Sequence, residues 1–235
     1  MRRAASWASV LWCWLAIASG AAGAAPLTGR ETLGRAYDAI LNASFAEASE
    51  QLRRCDGAPP VACQVLEATG LWWRIQLNPS DRSLDAAFTA RVDPAIAAAE
   101  AWVTREPARA EAWVYLGGAY GARVQFRVLR TERLAAARDG KRIKEALEAA
   151  LRLDPSLEDA NFGVGLYQYY ADVAPAAAKF LRWLLLLPGG DKLEGLARMI
   201  RAADRGDLLR SEAAFQLHVI YLWYEHDFPR ALSLL

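Results

Sequence analysis

The chain predicts an all-α fold of about ten helices, and three observations carry that expectation. After the first 25 residues, Ala, Leu, Arg and Glu dominate, and all four are good helix formers. The alternation of apolar and polar residues that marks a half-buried strand is almost absent. Turn signals recur at the intervals of helical hairpins: Asp56-Gly57 with Pro59-Pro60, Asn78-Pro79, Asp93-Pro94, Glu106-Pro107, Asp139-Gly140, Asp154-Pro155 and Pro188-Gly189-Gly190. With 235 residues, 54% hydrophobic and 23% charged, the chain is composed like a folded protein and suits one domain or a short repeat array. A formal net charge of +1 gives no overall pull toward nucleic acid or acidic substrates.

Residues 1–24 precede the fold. Arg2 and Arg3 open the chain, an apolar run follows at 10–17, and the small-residue tract ASGAAGAA leads to Pro26. This is the basic start, apolar middle and A-x-A ending of a secretory leader. Cleavage is expected after Ala24, because a cut after Ala25 would leave proline in the next position. A retained N-terminal anchor is the other reading, although the run falls short of the roughly 20 residues of a membrane-spanning helix. Cys13 follows Trp12 inside the apolar run, so it is not placed for lipid attachment. The expectation is an exported protein, periplasmic or in the cell envelope, with 25–235 as the folded part. Cys13 then leaves with the leader, and Cys55 and Cys63 remain around the loop DGAPPVA. An even pair in an exported chain reads as a disulfide, with two buried free thiols or a redox pair as alternatives. Their C-x7-C spacing is not that of a C-x-x-C redox site.

The first helical hairpin is expected at 28–54, with Tyr37, Leu41, Phe45, Ala48 and Leu52 facing inward. The next helix covers 63–77, with Leu66, Gly70 and Trp73 inward. Residues 81–92 read as an extra helix ahead of one at 94–105. The stretch AEAWVYLGGAY then carries Trp113-x-x-Leu116-Gly117-x-x-Tyr120, six residues after Pro107. This pattern resembles the opening of the first helix of a tetratricopeptide (TPR) repeat. With the Pro155 spacer and the block NFGVGLYQYYADVAP, the chain from about residue 30 to its end resembles exported bacterial TPR proteins. The resemblance implies an α-solenoid whose concave face binds an extended peptide or a helix, and it implies no catalytic residues.

In that register Asn161 opens a new pattern six residues after Pro155, and Gly165 takes the small position where two helices cross closely. Ala150, Leu147 and Ile143 take the apolar positions of the preceding second helix. The interval from Tyr120 to Ile143 exceeds the register by about 14 residues, or about four helical turns. The intervening RVQFRVLRTERLAAAR holds neither Gly nor Pro. One unusually long helix is therefore expected near 110–138, followed by a turn at Asp139-Gly140 and a shorter helix to Leu153. Ala214, Leu217, His218 and Tyr221 mark a further first helix, and its partner starts at Phe228. A repeat array needs a closing cap over its last apolar face. The ending on Ser-Leu-Leu reads as a fragment, or as an end that docks on something.

Catalytic and metal chemistry finds little purchase. His218 and His226 are eight residues apart, about 12 Å along a helix axis, too far for one metal. Phosphate-loop, H-E-x-x-H and G-x-S-x-G patterns are absent. No cofactor is expected. Two surface features remain. Arg123, Arg127, Arg130 and Arg133 recur at spacings that share one helix face, with Arg138, Lys141, Arg142 and Lys144 beyond them. They suit an acidic peptide or anionic lipid head groups, hence possible peripheral membrane contact, or they form a solvated face paired with acids elsewhere. An exported protein is not expected to meet nucleic acid. The second feature is aromatic density around Tyr167–Tyr170 and Tyr221–Tyr224. The repeat register places Asp159, Phe162, Leu166, Tyr169 and Tyr170, then Glu212, Phe215, Val219 and Trp223, on the groove face. These residues either anchor a partner or fill the core between repeats. The apolar run at 180–187 is either deeply buried or partner-facing. The expected function is a non-catalytic interaction scaffold that takes a protein or peptide in its groove. An envelope enzyme or small-ligand carrier, for example pairing Asp172 with a tyrosine, and a membrane-surface adaptor are the alternatives.

Overall fold

The computed structural model describes residues 27–176, 179 and 188–234, so the expected leader and the apolar run at 180–187 lie outside the described residues. Among the described residues there are ten helices and no strand. α1 (Arg30–Leu41) and α2 (Phe45–Arg54) form the first hairpin. α2 ends at Cys55, which is left-handed at φ 51°. Pro60 starts α3 (Pro60–Leu77), a position where the missing N–H costs no helical hydrogen bond. Cys55 and Cys63 form a disulfide, with Cα atoms 6.0 Å apart, that ties the end of α2 to the first turn of α3. There follow α4 (Asp85–Arg105), α5 (Ala110–Leu129), α6 (Arg133–Leu153) and α7 (Glu158–Val173). The last three are α8 (Lys192–Arg205), α9 (Arg210–Trp223) and the short α10 (Phe228–Leu232).

Extensive packing runs between helices one or two places apart in this order. Some contacts reach further. The Arg30 guanidinium lies 2.9 Å from the Asp207 carboxylate, and the Trp73 ring of α3 meets the Phe215 ring of α9 edge-on at 5.8 Å.

The middle of the chain departs from the sequence expectation. α4 is one helix where two were expected around Asp93-Pro94, and it starts at Asp85. Pro94 removes one hydrogen bond and crowds the preceding turn. The helix continues because Phe88 and Val92 before it, and Ala95, Ile96 and Ala99 after it, bury in the same core. Residues 81–83 form a turn instead, in which Asp81 accepts the Ser83 N–H at 2.8 Å and the Ser83 hydroxyl at 2.9 Å.

The single long helix expected near 110–138 is likewise two helices. α5 stops at Leu129, and Thr131 turns left-handed at φ 65°, a costly conformation for a β-branched residue. Arg130 holds the turn. Its guanidinium reaches both Asp85 oxygens, at 2.8 and 2.7 Å, and the carbonyl oxygens of Pro79 and Asp81, at 2.7 and 3.1 Å. The chain folds back so that α6 packs against α5, and Asp139-Gly140, expected as a turn, lies inside α6.

α7 belongs to two apolar clusters. Leu157 at its start, Ala160 and Val164 join a core that runs back to α1. Phe162 and Tyr169 join Met199 and Ala202 of α8 and Leu217 and Ile220 of α9. Gly165 does lie at a close crossing: a Cβ there would stand 2.6 Å from the Gly195 carbonyl oxygen of α8. Buried carboxylates join segments distant in sequence. Glu111 accepts the N–H and hydroxyl of Thr28 at 2.7 and 3.0 Å. Asp139 accepts Nε and Nη2 of Arg123, both at 2.9 Å, and Nη1 of Arg127 at 2.5 Å. Asp159 accepts the N–H groups of Leu208 and Leu209, each at 3.0 Å, just ahead of α9.

Candidate interaction surface

Tyr169 and Tyr170 near the end of α7, and Tyr224 just after α9, stand mutually edge to face. Their ring centroids are 5.4, 6.1 and 5.5 Å apart. The hydroxyl of buried Tyr169 donates to Glu225 Oε1 at 2.6 Å, and Lys192 Nζ, at the head of α8, lies 2.6 Å from Oε2. Burial pushes the Tyr169 phenol up, and the Glu225 charge pushes it further. Burial also pushes the Glu225 carboxyl up, but Lys192 and the Tyr169 hydroxyl outweigh it and hold the group below its ordinary range. A phenol made harder to ionise, beside a carboxylate made a weaker base, is poorly matched to proton transfer near neutrality. The arrangement is a lock: one carboxylate joins α7, α8 and the turn after α9.

The lock fixes the α9–α10 corner. His226 is left-handed at φ 54°, and the Asp227 side chain accepts the Arg230 N–H at 3.1 Å to cap α10. His218 Nδ1 lies 2.8 Å from the Ala231 carbonyl oxygen and fastens α10 to α9. What the corner displays is aromatic: Trp223 is 69%, Tyr224 51% and Phe228 56% exposed.

The residues expected to line the groove do not share one open surface. Asp159, Phe162 and Tyr169 are buried, and Leu166 and Tyr170 are half-buried against the second cluster. The tight α7–α8 crossing at Gly165 and Gly195 brings α8 down on α7, so this face packs between helices. Asp159 anchors the start of α9 and does not face a partner. Phe215 has one side exposed, but its ring meets Trp73. Glu212 is buried, Val219 half-buried and Trp223 open. Asp172 accepts the Lys192 N–H at 3.1 Å and lies 3.9 Å from Lys179, while Tyr169 of the same helix pairs with Glu225.

The basic stripe is also revised. Arg123 pairs with Asp93 and Asp139, Arg127 with Asp139 and Glu132, and Arg130 with Asp85. Arg133 starts α6 and stands exposed, off the α5 face. The break at Thr131 turns a continuous stripe into inter-helix staples. Glu225 and Lys192 were missed from sequence, and Tyr224 entered only as part of the aromatic density at Tyr221–Tyr224. Tyr224-Glu225 directly after a patterned helix was the only local signal, and Lys192 becomes relevant only once α8 folds onto α7.

Among the described residues, no helix is long and apolar enough to cross a membrane, and no three His, Cys, Asp or Glu residues cluster as metal ligands. Compared with protein-family models, curated proteins and solved structures, the chain matches none of them.

Proposed function

We propose that the chain is a non-catalytic interaction scaffold of the cell envelope: an α-solenoid of TPR-like hairpins that binds a protein or peptide partner. The observation behind this reading is the aromatic corner of Trp223, Tyr224 and Phe228, held outward by the Tyr169–Glu225–Lys192 lock. Large aromatic side chains left exposed together on a fixed frame are the residue type that dominates binding hot spots. The solenoid part is supported by packing between helices one or two places apart, as expected of stacked hairpins. Leu116, Gly117 and Tyr120 are buried at the α5–α6 contact, in keeping with their repeat positions. Export is supported by the leader-like N-terminus and the disulfide. On this reading the α9–α10 corner is the binding surface, and Trp223 is the residue it shares with the expected groove.

Crosslinked capture from the envelope fraction, using the full chain and the Trp223→Ala/Phe228→Ala variant, tests the proposal. One stoichiometric partner, recovered with the native chain and lost with the variant, supports it. Recovery unchanged by the variant removes the corner as the binding surface.

A further inference from the structure

A cleft of about 440 Å³ opens between α4, α5 and α6, on the face that carries the W-x-x-L-G-x-x-Y residues. Trp113, Leu116 and Ala146 give it an apolar lining, and Arg138, Lys141, Arg142 and Glu145 of α6 line it together with Glu100 of α4. Tyr120 also lines it. Its hydroxyl donates to Glu100 at 2.5 Å and accepts from Arg142 at 2.6 Å. Its ring lies near the guanidinium groups of Arg123 and Arg142, at 5.1 and 5.4 Å.

The cations of this cleft are not equally engaged. Arg142 is bound to Glu100 at 3.1 Å. Lys141 has, among the described residues, only Glu145 as a carboxylate partner, one turn away at 3.7 Å and well exposed. Arg138 is exposed and has no carboxylate at ion-pair distance among the described residues. Among the described residues Arg133 is the other cation of the former stripe without an ion pair, since Arg123, Arg127, Arg130 and Lys144 all have carboxylate partners. Of the two, Arg138 alone lines the cleft.

We propose that this cleft binds an acidic segment of a partner polypeptide. A carboxylate sits between Arg138 and Lys141, and a neighbouring apolar side chain lies on Trp113 and Leu116. This rests on the reading of the chain as an interaction scaffold and gives the partner its chemistry. Arg138 and Lys141, one turn apart on α6 and both reachable from solvent, suit a single side-chain carboxylate, which forms charge-assisted hydrogen bonds to them. A cleft of about 440 Å³ admits a side chain or two, which a peptide can lower into it and a flat bilayer surface cannot.

The test uses fluorescence anisotropy of a labelled decapeptide of alternating Glu and Leu, titrated with the full chain at about physiological ionic strength. Arg138→Glu and Arg133→Glu change the net charge equally on the same helix, and far-UV circular dichroism checks that both fold. Should Arg138→Glu misfold, Arg138→Gln replaces it. The expected result is roughly tenfold weaker binding for the Arg138 variant and less than about twofold for the Arg133 variant. Equal losses, equal binding of a Gln-Leu peptide, or no binding up to about 1 mM overturns the proposal. So does retention on anionic phosphatidylglycerol vesicles without peptide binding. Partner capture unchanged by the Trp223→Ala/Phe228→Ala variant, with peptide binding intact, would count against that corner alone, and capture lost with that variant but without peptide binding would count against the cleft alone.

Discussion

Asp139 is the residue on which the middle of the molecule turns. It is buried at 2% exposure inside α6 and accepts three hydrogen bonds from Arg123 and Arg127. Removing one partner of a buried charge group leaves the others uncompensated, at a cost of about 3–5 kcal/mol. Asp139→Ala is expected to lower stability by that amount in urea unfolding, whereas Arg133→Ala, on an exposed side chain, should fall within about 0.5 kcal/mol. Glu212 presents the opposite case. It is 6% exposed in the first turn of α9, and burial alone pushes its carboxyl from 4.5 up to about 7. The unfolded chain ionises this group near 4.5 while the folded chain keeps it protonated until about pH 7. Its contribution is therefore most favourable below pH 4.5 and declines as pH rises toward 7, at about 1.4 kcal/mol per unit. Glu212→Gln should remove this decline, seen as a smaller drop in urea midpoint between pH 5 and pH 8 than in the native chain. An equal drop would reject the assignment.

At the scale of elements, the Thr131 break is the feature most open to a decisive measurement. If the chain turns at φ 65°, Thr131→Gly relieves a left-handed β-branched residue and should stabilise by roughly 1 kcal/mol. Inside one continuous helix the same change would destabilise by a similar amount. The sign of the shift in melting temperature separates the two. Both departures in the chain's middle have the same physical origin. Helical character was legible because propensity and burial pattern agree over residues 85–153. Where the helices stop was not, because long-range contacts decide it. Pro94, a strong local breaker, is overridden by apolar residues buried on both sides of it. Arg130–Glu132, with no local breaker, is turned by carboxyl and carbonyl groups of residues 79–85. The interaction surface follows the same logic. Trp223 was legible as an aromatic at a patterned position, while burial of Asp159, Phe162 and Tyr169 depends on how closely α8 settles at Gly165 and Gly195. The disulfide was the easiest to foresee, because so short a loop between two cysteines brings them together before any tertiary packing.

At the scale of the whole molecule, α7 faces both apolar clusters, and Trp73–Phe215 and Arg30–Asp207 span helices that are otherwise far apart in the order. A purely nearest-neighbour array would show no energetic coupling between α3 and α9. A double-mutant cycle with Trp73→Ala and Phe215→Ala is expected to give a coupling energy of about 1 kcal/mol. Additive effects within about 0.3 kcal/mol would mean the ring contact does not bridge the two clusters.

The buried carboxylates have a consequence beyond their individual strengths. Helices packed only through apolar faces can slide by one turn, about 5.4 Å, and meet a chemically similar partner surface at little cost. Glu111 fastens Thr28 to the head of α5, Asp139 fastens α6 to two arginines of α5, and Asp159 fastens the approach to α9 to the head of α7. A slip of one turn at any of these joints would strand a buried charge without its donors. Three acidic side chains therefore index the stack: each admits one offset between neighbouring segments, in a chain whose alanine- and leucine-rich faces would tolerate several.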